Sequence, residues 1–67
     1  MSEYDDLLLD AYKGEHFGDA FFGALADQQP DADRREKLRT LQTVEARTAT
    51  TLRRLVADAG LDTDPAA

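Results

Sequence analysis

Two glutamates, Glu15 and Glu45, stand fifteen residues to either side of Pro30. Each interrupts a row of apolar residues spaced at threes and fours, the spacing that lines one face of an α-helix. A chain folded back at Pro30 therefore brings two carboxylates to one level of a helical core. An ionised carboxylate there is costly unless it takes up a proton, pairs with a base or binds a cation. Three arrangements meet that demand. The glutamates act as ligands for iron or manganese, ions for which carboxylates projecting from facing helices are common donors. Alternatively they pair with arginines such as Arg47 or Arg54, or a small rotation of the helices lets both acids reach solvent.

Neighbouring residues bear on that choice. Asp19 follows Glu15 by four residues, and like charges at that spacing repel unless something positive lies between them, which favours a cation. His16 is the single histidine. It points about 100° away from Glu15 around the helix, which separates the two as ligands of one ion within one chain. It reads as a partly exposed histidine, with a ligand role across a dimer interface as the alternative. Tyr4 and Tyr12 are candidate redox neighbours of a metal, although amphipathic packing accounts for both. Thr40, Thr43, Thr48, Thr50 and Thr51 either line a polar cavity or sit on an ordinary helix surface. No phosphate loop, zinc spacing, nucleophile and base pairing or nucleic-acid module is present.

The elements that position the glutamates are two long helices. Ser2 caps the first, with Glu3, Asp5 and Asp6 in the first turn where the helix dipole favours acids, so helix one runs over about residues 3–28. Its core row is Tyr4, Leu8, Ala11, Glu15, Gly18, Phe22 and Leu25. A second row, Leu7, Phe17, Phe21 and Ala24, makes the apolar face wider than one partner helix can cover. Gly14, Gly18 and Gly23 each cost about 1 kcal/mol against alanine in a helix interior. Close approach at those positions, or simply a weak helix, explains them. Gln29-Pro30-Asp31 forms the turn, Asp31 caps helix two over about residues 32–59, and Gly60 with Leu61 closes it. The core row of helix two is Leu38, Leu41, Glu45, Thr48, Leu52, Leu55 and Ala59. Residues 62–67 read as a disordered tail or linker.

The short connection makes the helices antiparallel, and each glutamate lies roughly 22 Å from the turn at 1.5 Å per residue. At 67 residues without cysteine the chain has little surface to bury and no disulfide, so stability calls for long helices, a metal or a partner chain. A net charge of -6 disfavours nucleic acid and anionic membranes. The acidic amino terminus is unlike a secretory signal, and no apolar run reaches the roughly 20 residues of a membrane span. A cytoplasmic location is the expectation.

Gly14-Glu15 in an apolar helix, the turn Pro30-Asp31-Ala32-Asp33, and Leu41-Gln42-Thr43-Val44-Glu45 in a second helix together resemble the first helical pair of the ferritin-like superfamily, which includes rubrerythrins and other di-iron bundles. The resemblance spans about residues 7–61. It implies that Glu15 and Glu45 are metal ligands and that the chain is half of a bundle, completed by a homodimer or by further helices of a longer chain. The family places a histidine three residues after the second glutamate, and that position is Thr48. The fold expected is all-α, an antiparallel two-helix hairpin forming half of a ferritin-like four-helix bundle. The function expected is a bundle subunit with a degenerate carboxylate site for iron or manganese. The alternative is a structural oligomerisation module with no metal.

Overall fold

The computed structural model describes residues 2–66. It consists of two antiparallel helices, α1 (Glu3–Gln28) and α2 (Ala32–Asp58), with no strand among the described residues. Local chemistry sets their limits. The Ser2 hydroxyl accepts from the Asp5 amide, and Glu3, Asp5 and Asp6 occupy the first turn of α1. At the turn, the Asp31 carboxylate accepts from the Arg34 amide and starts α2, while the Arg35 guanidinium donates to the carbonyls of Gln29 and Pro30. These bonds satisfy backbone groups that a helix end leaves without partners. An ion pair between Asp27 and Arg39 ties the two helices together just beyond the turn.

The far end of α2 closes on a glycine with φ of 73°. Gly60 donates to the Ala57 carbonyl and Leu61 to that of Val56, the paired bonds of a left-handed cap, and Leu61 packs back against the core as such caps favour. The chain then crosses α1, where the Tyr12 hydroxyl donates to the Thr63 carbonyl. The segment expected to be a loose tail thus carries a tether at its start.

The core is small. Leu8, Tyr12 and Val56 form its dry centre, with Leu9, Leu52 and Leu61 packed around them. Nearer the turn the buried residues are small ones, Gly23, Ala26 and Ala49. The contact face of α1 is rotated from the expected row by about one residue. Tyr12 is only 1 % exposed where Ala11 was expected inside, and Ala26 is fully buried where Leu25 was expected. Tyr4, at 60 % exposure, and Leu25, Leu41 and Leu55 consequently lie open on a flank. The hairpin is a rod of 45 × 17 × 16 Å with a radius of gyration of 13.8 Å. A compact chain of this length would have about 11 Å. No helix among the described residues is long and apolar enough to cross a membrane.

Candidate functional site

Glu15 and Glu45 meet across the helix contact. Their shared level follows from the short turn, and their approach follows from Gly18, whose missing side chain leaves the space that Glu45 fills. A Cβ at position 18 would stand 2.9 Å from Glu45 Oε2 and 3.2 Å from its Cγ. Seated in this notch, the Glu45 carboxyl lies close enough to Glu15 to share a hydrogen bond with it. That bond holds the Glu45 carboxyl above the ordinary glutamate range, with smaller contributions from partial desolvation and from the Glu15 charge. Two carboxylates can share a hydrogen bond only when a proton lies between them. A bound cation would take the place of that proton, so cation binding there weakens as pH falls.

The notch also fixes which side of the hairpin this pair occupies. Residues three, four or seven apart share a helix face, so Gly18 stands with Ala11, Gly14 and Leu25, and Glu45 stands with Leu41 and Thr48. The contact between Gly18 and Glu45 therefore places the exposed apolar flanks of both helices on one side, with the carboxylate pair at its centre. The opposite side is polar. There Gln42 fills a second notch, where a Cβ on Gly23 would lie 2.7 Å from Gln42 Nε2, and the Arg39 guanidinium orients the Gln42 amide. Asp19, Thr43, Ala46, Arg47 and Thr50 line an open hollow beside Gln42. Asp19 thus belongs to that side and not to the carboxylate pair.

The remaining candidates fall into place around these. His16 is half-buried, with its ring edge-on to Tyr12 at 4.7 Å between centroids. Each of the five threonines of α2 is exposed and donates its hydroxyl to the carbonyl four residues before it. Thr48 is bonded in this way to Val44, and of the five only Thr43 and Thr50 line the hollow beside Gln42. Among the described residues, no group of three or more His, Cys, Asp or Glu side chains is placed to hold a metal ion. Two converging carboxylates suit a hard cation in donor type, and one hairpin supplies fewer donors than the roughly six such an ion takes. The residues that sequence reasoning missed are Gly18 as the seat of Glu45 and Gln42 as its counterpart on the other side. The glycines were the available signal.

No family model, curated protein or solved structure matches this chain.

Proposed function

We propose that the hairpin is one half of a ferritin-like four-helix bundle, in which Glu15 and Glu45 contribute carboxylates to a site for iron or manganese. The observation that carries this reading is the placement of the pair. The carboxylates converge at the centre of the side whose apolar residues have no partner within the hairpin. Covering that side with a second pair of helices would enclose the carboxylates and add the missing donors. The ion would be held through oxygen ligands, and water would fill the remaining positions. Thr48, exposed and bonded to its own helix, supplies no nitrogen in place of the family's histidine.

Titration with ferrous iron, under exclusion of air, and with manganese tests this. Saturable binding with a defined ratio of ions to hairpins is expected, lost in Glu15→Ala and weakened at lower pH. Absence of saturable binding, or a Glu15→Ala response equal to that of the native chain, removes the metal from the reading.

A second reading is favoured by the hydrogen bond itself. With a proton between them, Glu15 and Glu45 satisfy each other and need no ion, and the bundle is then a structural assembly module. The metal titration distinguishes the two, since an assembly module binds neither ion. Replacing both glutamates by leucine raises the melting temperature of an assembly module without loss of association, since the cost of desolvating the carboxylates disappears.

A further inference from the structure

Gly14 is the glycine for which the hairpin gives no account. Gly18 and Gly23 seat Glu45 and Gln42, and Gly60 takes a positive φ, whereas a Cβ at position 14 would meet no atom within 4 Å. Glycine inside a helix is unfavourable relative to alanine, so an isolated hairpin gains nothing from it. Bare backbone on an open helix face permits the close approach of a second backbone.

The surroundings of Gly14 say which backbone. Gly14 is the midpoint of an open stripe on α1 that has Leu7 at one end, Ala11 and Phe17 three residues to either side of the centre, and Phe21 at the other end. Positions three and seven residues from Gly14 are apolar in both directions, and the small Ala11 lies at the same distance from Gly14 as the large Phe17. A two-fold axis brings a surface against itself and requires this self-complementarity. An antiparallel crossing centred on Gly14 sets Leu7 against the partner's Phe21 and Ala11 against the partner's Phe17, large against small, with the bare backbone of Gly14 on the axis. Leu41, Val44 and Leu55 of α2 extend the same side. Together these exposed side chains offer roughly 700 Å² to be covered, close to the ~800 Å² each partner gives to a standard interface.

We propose that the apolar side of the hairpin is a self-recognition surface, on which a second copy of this chain docks with α1 crossing the partner's α1 antiparallel at Gly14. This rests on the half-bundle reading above and is independent of its metal. The axis passes through the layer of Glu15 and Glu45, so both carboxylate pairs lie beside it.

Sedimentation of the full chain in the presence of a chelator tests the interface without metal. A dimer is expected at micromolar concentration. Gly14→Leu should weaken it by at least about tenfold while helix content stays level or rises, because leucine favours helix over glycine. The chain has no cysteine, so Gly14→Cys places one thiol per chain on the axis. Oxidation should link two copies through it, whereas Leu7→Cys, far from its own mate, should stay unlinked. A monomer overturns the proposal, as does a dimer that ignores Gly14→Leu and fails to link through Gly14→Cys. A dimer that binds no metal supports it and removes only the metal, and a monomer that binds metal does the reverse.

Discussion

Near the open end of the hairpin Leu8, Tyr12 and Val56 close a dry cluster, sealed by Leu61 and by the Thr63 carbonyl on the tyrosine hydroxyl. A turn of helix nearer Pro30, the same two helices meet through carboxylates and bare backbone at Gly18. The first contact is stabilised by removing apolar surface from water and needs no second molecule. The second keeps polar groups at a helix interface where leucines would pack more favourably. The difference teaches that the apolar packing of the hairpin and its carboxylate pair are placed in adjacent layers, and that each layer can be altered with the other as control.

Removing the dry cluster has the largest expected effect. Tyr12→Ala leaves a cavity and frees the tail, at a cost of about 3–5 kcal/mol. A core in a chain this short supplies no more than about 3–5 kcal/mol, so circular dichroism should show a largely unfolded chain. Tyr12→Phe, which keeps the ring and loses one hydrogen bond, should cost about 1 kcal/mol. Equal effects of the two would mean that the tether, and not the packing, holds this end.

The carboxylate layer should respond to pH instead. The Glu45 carboxyl is raised in the folded chain, so the folded state binds a proton more tightly than the unfolded one. Its contribution is fully present below the ordinary glutamate pKa and is lost as pH rises through the raised value. Metal-free protein should therefore melt at a higher temperature in mild acid than at neutral pH, as far as this pair decides it, and Glu45→Gln should flatten that slope. A slope unchanged in Glu45→Gln would place its origin elsewhere among the acids.

The smallest expected effect on stability, and the most specific on the site, is that of Gly18→Ala. The added methyl displaces only the end of the flexible Glu45 side chain, while alanine gains about 1 kcal/mol of helix propensity. Melting should change by no more than a few degrees. NMR titration should show Glu45 back in the ordinary glutamate range. A carboxyl still raised in that variant would show that the notch does not position it.

Much of the fold was legible because the signals are local. Ser2, Asp31 and Gly60 act on backbone groups within a few residues, and each caps where its chemistry requires. The level shared by Glu15 and Glu45 was legible because a three-residue turn leaves no freedom in register. Rotation of the helices about their axes was not. On a face as wide as that of α1, the rows through Leu8, Ala11 and Leu25 and through Leu8, Tyr12 and Ala26 differ by one residue and are almost equally apolar. The choice between them is made by the packing of the buried small residues Gly23, Ala26 and Ala49, which depends on both helices at once. The same rotation turned Leu41 and Leu55 outward and sent Asp19 to the polar side.

The tether between Tyr12 and Thr63 joins residues 51 apart in sequence, and this has a consequence for the order of folding. A hairpin with its best contacts at the turn closes like a zipper, since each added layer orders only a little more chain. Here the strongest layer lies at the greatest distance along the chain from Pro30, and the layers between are small or polar. Most of the entropy of loop closure is therefore spent before the main reward is reached. The turn alone cannot hold a partly closed state, and the two helices should find each other in one cooperative event.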